Sequence, residues 1–266
     1  YRFSVQAAVN INRSSRYFGY MRQLEDVEYD KYGFVRVAYL LVAAAKMGIH
    51  VNVVGHLEAY PVSSGEPGLI KYFTDRLNHT CDPAYAKNKV VGDYMNFTFV
   101  EWSLAQRGGT DMMHNKMCAV SHYLDKDGKT HRNAVFSSSS NLDGIKATAV
   151  NANWKLQTAT IVSDHAEIYN TAINYMRLAQ KCGTYLDGIM EFQHEVNERA
   201  TKQIDLILEG KANEIAKDEQ IVYIGTDNDD VFELYFTPFG GDAYTWEEKY
   251  NPYCKYTRKL HDSEGF

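Results

Sequence analysis

Hydrophobic residues recur along the chain at the spacings of two kinds of secondary structure, and the two kinds alternate. Within residues 33–55, apolar positions from Val37 to Ala44 follow a helical period, Gly48 can end the helix, and 49–54 is a short apolar run typical of a buried strand. An earlier run, 4–11, has the same strand-like character. The order strand, helix, strand predicts an α/β layered domain with parallel strands.

The segments that follow continue this alternation. A loop rich in proline, serine and glycine covers 61–68, and an amphipathic helix comes next because Ile70, Phe73 and Leu77 share one face. Apolar and polar residues then alternate over 95–99, which predicts a strand.

Two helices and two further strands are predicted in the second half of the chain. Asp164 is a suitable N-cap for the first helix, and the second, from about 186 to 217, is long and rich in charge. A helix of that kind is typical of a solvated bridge between structural units. Apolar runs at 221–225 and 231–236 predict strands beyond it.

Composition indicates a folded protein with a sizeable core and no signature of nucleic-acid binding. Of the 266 residues, 45% are hydrophobic, and the formal charge of -6 argues against the neutralisation of many backbone phosphates. The longest apolar run, 37–45, is about half of the roughly 20 residues that a membrane-spanning helix needs. The chain opens with Tyr1 and no signal peptide, so we expect its natural start to lie upstream; the compartment stays open, with secretion a weak preference.

No metal or other cofactor is predicted. The cysteines are far apart and form no Cys-x-x-Cys pair, so we expect buried thiols: Cys81, Cys118, Cys182 and Cys254. Glu191-x-x-His194 lacks the second copy that a carboxylate-bridged metal site needs, which favours a solvated helix face. The aspartate-rich segment 227–230 lacks the glycine and the distal glutamate of a calcium loop, which favours a turn between strands.

Candidate chemistry centres on the one His-x-Lys of the sequence, His114-x-Lys116. The Asp-Gly pair at 127–128 predicts a two-residue hairpin turn, and that register places His114 opposite Asn141 and Lys116 opposite Ser139. Because strand side chains alternate between faces, all four then project from one side. A bulge in a hairpin this long would shift the facing pairs by one residue.

This patch suits a phosphodiester. Lys116 would neutralise a non-bridging oxygen, and His114 could attack phosphorus without a metal. Ser139 and Asn141 would donate hydrogen bonds to the charge that develops. The alternative is that these are polar side chains on the wet face of a strand, with 137–140 as loop filler; Asn141 directly after the serines favours a site.

These residues resemble the signature of the phospholipase D superfamily, His-x-Lys-x-x-x-x-Asp followed after a gap by Gly-Ser-x-Asn. The matching positions are His114, Lys116, Ser121 in place of the aspartate, Ser138 in place of the glycine, Ser139 and Asn141. The resemblance implies a layered α-β-α sandwich with a mixed, largely parallel central sheet. It also implies hydrolysis of the head-group phosphodiester of glycerophospholipids through a phosphohistidine, with water or another alcohol as acceptor and no cofactor.

Members of this superfamily combine two copies of the signature, whereas this sequence has one. Residues 1–185 resemble the first repeat, 186–218 a helical connector and 219–266 the beginning of a second repeat. The second half-site would come from a segment outside this chain, which we favour, or from a symmetric partner chain. The expected partners are a phospholipid substrate and, transiently, a membrane or micelle surface, without nucleic acid.

Two other functions stay open at the level of sequence. A nuclease of the same superfamily would need a basic stripe beside the site, and lysine and arginine are sparse around His114. A degenerate phosphate-binding module without turnover is suggested by Ser121 and Ser138 at the altered positions.

Overall fold

A computed structural model describes residues 37–57, 69–101, 115–138, 158–183, 188–227 and 230–235. The helices are α1 (Val37–Lys46), α2 (Leu69–Thr74), α3 (Ala166–Cys182) and α4 (Gly188–Leu208), with short 3-10 turns at Val91–Asp93 and Ala212–Glu214. The strands are β1 (Val51–Leu57), β2 (Met95–Glu101), β3 (Met117–Leu124), β4 (Thr130–Ser138), β5 (Ala159–Val162), β6 (Val222–Asp227) and β7 (Asp230–Tyr235). The strand predicted at 4–11 lies outside the described residues.

The first helix and strand follow the apolar pattern of the sequence. α1 ends before Gly48, whose φ of 76° is a left-handed conformation that glycine adopts without strain. After this turn the chain enters β1, which pairs in parallel with β2 from Val51–Met95 to Leu57–Glu101. Buried side chains of α1 pack here against Phe73 of α2 and Met95 of β2.

The second sheet has the order β3-β4-β5 and is antiparallel throughout. Leu124 pairs with Thr130, so the β3–β4 loop has five residues and not the two predicted. Oδ1 of Asp125 accepts the backbone N–H groups of Asp127 and Lys129, both at 2.9 Å, and this side-chain turn lengthens the loop. The predicted hairpin register is therefore wrong by one residue.

Helices α3 and α4 bury a common core against this sheet. Their fully or almost fully buried residues include Tyr175 on α3 and, at four-residue spacing on α4, Phe192, Val196, Ala200 and Ile204. The interpretation of α4 as a solvated bridge is wrong, because this apolar stripe runs beneath its charged faces. The helix also ends at Leu208, short of the predicted end near 217.

Strand β6 joins the same core. Ile221 and Val222 are fully buried in the α3–α4 cluster, and Oε1 of Gln203 accepts both of their backbone N–H groups, at 2.9 and 3.2 Å. β6 then pairs with β7 in antiparallel fashion, with Asp227 opposite Asp230, which confirms the two predicted strands, while residues 228 and 229 of the predicted turn lie outside the described residues. The division of the chain at residue 219 stays a prediction.

The α/β class is confirmed by this mixture of helices, one parallel strand pair and several antiparallel pairs. The largely parallel character expected of the sheet is not seen among the described strand pairs. The reason is local, since the short β3–β4 and β6–β7 connections can join only antiparallel neighbours.

Candidate functional site

Lys116 lies at the start of the β3–β4 hairpin and is only 9% exposed. It is the one charged side chain classed as buried among the residues whose burial the structure describes. Lysine is rarely buried in proteins, because removing an ammonium group from water is costly without compensating interactions. The burial of Lys116 therefore distinguishes it from the other lysines whose burial the structure describes.

The residue paired with Lys116 is Ser138, not Ser139 as predicted. The backbone N–H of Ser138 donates to the carbonyl oxygen of Lys116 at 2.9 Å, which continues the ladder one residue past the Met117–Ser137 pair. The Ser138 hydroxyl donates to the carbonyl oxygen of Thr158 at 3.2 Å, next to β5. Ser138, which stands where the phospholipase D signature has glycine, is thus a neighbour of Lys116 and also ties the hairpin to the third strand.

Asn115, the middle residue of His-x-Lys, is held from the helix layer. Oη of Tyr175 on α3 donates to Oδ1 of Asn115 at 2.8 Å. Met117, two residues further along, also packs against the α3–α4 core. Alternation along the strand consequently directs Lys116 to the face away from these helices.

The other three predicted site residues, His114, Ser139 and Asn141, lie outside the described residues. Of the predicted pairs, the one between His114 and Asn141 therefore stays a prediction. In the sequence, His114 directly precedes the described residue Asn115, and Ser139 directly follows the described residue Ser138.

Ser121, in the place of the family's aspartate, is an exposed residue of β3. Its hydroxyl lies 3.1 Å from Nδ1 of the neighbouring His122. Five residues of strand separate it from Lys116, roughly 16 Å at about 3.3 Å per residue. An odd number of residues also places the two side chains on opposite faces, so the residue at position 121 is not part of the surroundings of Lys116.

A cluster that the sequence did not reveal lies at the opposite end of the hairpin. His131 is held between two carboxylates, with Nδ1 at 2.8 Å from Asp164 and Nε2 at 3.2 Å from Asp125. Its ring stacks on Tyr123, with centroids 5.1 Å apart. Because both ring nitrogens face acceptors, the arrangement suits the doubly protonated imidazolium.

Electrostatics in this cluster favour the charged forms. The hydrogen bond to Asp164, and next that to Asp125, raise the pKa of His131 above its ordinary value. The pKa of Asp125 is lowered, mainly by the N–H of Lys129, and that of Asp164 is lowered, mainly by the N–H of Arg132. The two carboxylates bind opposite nitrogens, so they cannot converge on one metal ion, and no metal-binding group is found among the described residues.

Asp164 owes its position to this cluster and does not cap α3 as predicted. The N-cap is His165, whose Nδ1 accepts the N–H of Ile168 at 3.4 Å. Its Nε2 lies 3.1 Å from the hydroxyl of Tyr223, which links the start of α3 to β6. Asp164 instead accepts the backbone N–H of Arg132 at 2.8 Å, which its φ of 62° allows.

The described cysteines are free thiols. Cys81 and Cys182 are buried, as predicted, whereas Cys118 is partly exposed, and Cys254 lies outside the described residues. Burial raises the pKa of Cys118 to about 11, and burial together with Glu195 and Glu191 raises that of Cys182 to about 11. These thiols are protonated near neutral pH and are poor nucleophiles.

Two further features carry no site. His194 is exposed and lies 3.8 Å from Glu198 on the same helix, which confirms the solvated face predicted for Glu191-x-x-His194. An open cavity of about 250 Å³ is lined by His50, Asp93 and other residues where β1 and β2 begin. Parallel sheets bind ligands at the carboxyl ends of their strands, and this cavity is at the amino ends.

Comparison of the chain with protein-family models, with curated proteins and with solved structures found no match. In the described part of the chain, no helix has the length and apolar character to cross a membrane.

Proposed function

We propose that this chain carries one half of a phosphodiesterase centre of the phospholipase D type. Its residues are His114 as nucleophile, Lys116 as the cation for a non-bridging oxygen, and Ser139 and Asn141 as hydrogen-bond donors. The substrate class is a glycerophospholipid, cleaved on the head-group side. The observation that carries the proposal is the burial of Lys116 at the end of the hairpin where its backbone pairs with that of Ser138.

Chain connectivity supports the meeting of the two parts. Lys116 and Ser138 are joined by a backbone hydrogen bond. His114 precedes Lys116 by two residues, and Ser139 follows Ser138 directly. With about 3.3–3.6 Å of chain per residue, both segments start within a few ångströms of Lys116. The corrected register makes Ser138, and not Ser139, the residue paired with Lys116.

The chemistry needs only groups of these types. An imidazole nitrogen of His114 attacks phosphorus, the P–O bond to the head group breaks, and the leaving alkoxide takes a proton from a second histidine. Water or another alcohol then attacks the phosphohistidine and restores the free imidazole. Lys116 lowers the barrier by balancing the charge on the phosphoryl oxygens in a site that water reaches poorly.

The second histidine belongs to the other half of the centre, from a further segment of the protein or from a symmetric partner chain. A layered sandwich of the phospholipase D type is part of the same proposal. Two features support it. Helices α3 and α4 cover one face of the β3–β4–β5 sheet, and Lys116 is directed towards the opposite face.

The proposal is tested by replacing Lys116 with methionine, which has similar length and no charge. Release of head group from phosphatidylcholine micelles is expected to fall by about 100-fold or more, as for other losses of transition-state charge stabilisation. Lys126→Met, in the exposed loop at the far end of the hairpin, is the matched control and should keep full activity. Thermal unfolding of Lys116→Met, measured beside Lys126→Met, separates a loss of activity from a loss of folding.

Three outcomes would count against this function. Cleavage of short DNA in preference to phospholipid would indicate the nuclease. Tight binding of inorganic phosphate without turnover would indicate the degenerate module. Wild-type activity in Lys116→Met would remove the basis of the proposal.

A further inference from the structure

We propose that Tyr175 is a positioning residue for Lys116 and that it acts through Asn115. This inference rests on the proposed function for its catalytic consequence, whereas the anchoring itself can be measured without activity. Nothing in the sequence pattern links the two residues, because Tyr175 fits the apolar face of α3 and Asn115 occupies the variable position of the signature.

The hydrogen bond between the two residues has a rigid donor. Tyr175 is 2% exposed, and its ring packs on Phe192 of α4 with centroids 5.1 Å apart. A buried tyrosine hydroxyl needs a hydrogen-bond partner, and Oδ1 of Asn115 takes this bond at 2.8 Å. The ring is fixed by the helix core, so the bond transfers that fixed position to Asn115.

Asn115 is well placed to determine the direction of its neighbours. It lies outside β3, which begins at Met117, and the ladder bond between Ser138 and Lys116 is adjacent to it. With the Asn115 side chain tied to the helix side, the side chain of Lys116 is directed to the opposite side of the chain. Rotation of the backbone at Asn115 would turn the Lys116 side chain, and the bond to Tyr175 opposes that rotation.

The test is Tyr175→Phe, which removes the hydroxyl and keeps the ring against Phe192. The substrate is an aryl phosphodiester such as bis(p-nitrophenyl) phosphate, whose phenolate leaves without a proton from the second histidine. We expect kcat to fall by about three- to tenfold, the effect of losing one orienting hydrogen bond, with KM changed less than about twofold. Tyr169→Phe on the same helix, partly buried against the same core, is the matched control and should retain the wild-type kcat.

A double-mutant cycle with Asn115→Ala separates positioning from general destabilisation. If Tyr175 acts through Asn115, adding Tyr175→Phe to Asn115→Ala produces no further loss in kcat. A further loss of similar size, or a Tyr175→Phe variant with wild-type kcat beside an active wild-type enzyme, would overturn the inference.

Hydrogen exchange provides the readout that does not depend on activity. Deuterium uptake of the peptide covering 113–119 should be faster in Tyr175→Phe than in wild type and unchanged in Tyr169→Phe. Unchanged uptake at 113–119 would refute the anchoring even if the enzyme proved inactive. Faster uptake in Tyr175→Phe, combined with a wild-type protein that does not turn over diesters, would keep the anchor and refute the proposed function instead.

Discussion

Replacement of Gln203 by methionine is expected to destabilise the protein strongly, although the change preserves the length of the side chain. Gln203 is 4% exposed on α4. Its Oε1 accepts the N–H groups of Ile221 and Val222, and its Nε2 donates to the carbonyl oxygen of Glu219 at 2.8 Å. One amide side chain therefore satisfies three backbone groups at the entry to β6.

The magnitude follows from what methionine leaves unsatisfied. Ile221 and Val222 are both fully buried, so water cannot replace the lost acceptor at their N–H groups. Each orphaned buried donor costs about 1–3 kcal/mol, whereas the carbonyl of the exposed Glu219 can turn to water. We therefore expect a loss of about 2–5 kcal/mol in the free energy of unfolding.

Urea unfolding followed by circular dichroism measures this loss. With an m-value of about 2–3 kcal/mol/M, the midpoint should fall by about 1–2 M with an unchanged slope. Lys202→Met, on the adjacent exposed position of α4, is the matched control and should stay within about 0.5 kcal/mol of wild type. A Gln203→Met variant as stable as this control would refute the anchoring of β6 to α4.

Three further predictions follow from the core, the His131 cluster and the thiols. Phe192→Ala should lower the stability by about 3–4 kcal/mol, because the ring is fully buried against Tyr175; a loss no larger than that of His194→Ala on the exposed face, in the same thermal melts, would contradict this. The difference in free energy of unfolding between wild type and His131→Gln should shrink as pH rises from about 6 to about 9. The pKa of His131 is raised in the folded protein, so its contribution to stability is complete below the ordinary pKa of 6.5 and is lost as pH rises through the folded-state pKa. A difference that grows over this range would show that His131 is held neutral. Cys182 should react with iodoacetamide about 100-fold more slowly in the folded protein than in urea at pH near 8, since its pKa is raised from 9.0 to about 11; equal rates by mass spectrometry would refute the burial of the thiolate.

The sequence was a good guide where local pattern determines structure. The helical spacing before Gly48 and the apolar run after it predict α1 and β1, and both form within a few residues of the expected bounds. The strands β6 and β7 were likewise predictable, because the apolar runs at 221–225 and 231–236 indicate them.

The sequence was a poor guide where one side chain changes a local rule. The side chain of Asp125 accepts two backbone N–H groups in the loop. With this longer loop, the β3–β4 register differs by one residue from the predicted register, and Ser138 is the neighbour of Lys116. Aspartate is a common helix N-cap, and for that reason Asp164 was predicted to cap α3. Its side chain instead contacts His131 of β4, a residue distant in the chain. No residue spacing could reveal that contact.

The charged majority of α4 concealed its buried stripe. Averaged over the helix, charge indicates solvent exposure, but burial depends on the periodicity of the few apolar residues, beginning with Phe192 and ending with Ile204. The same distinction applies to the candidate site. The signature identified Lys116 as a possible cation, whereas its burial could come only from the three-dimensional structure.

The most direct test of the account is the detection of a covalent intermediate on His114. Wild-type protein is mixed with bis(p-nitrophenyl) phosphate, quenched in base within seconds, digested, and analysed by mass spectrometry. The account predicts an acid-labile aryl phosphoryl adduct on the peptide that contains His114, absent from His114→Asn and strongly reduced in Lys116→Met. Release of p-nitrophenol with no adduct on His114, or an adduct that persists at another residue in His114→Asn, would contradict it.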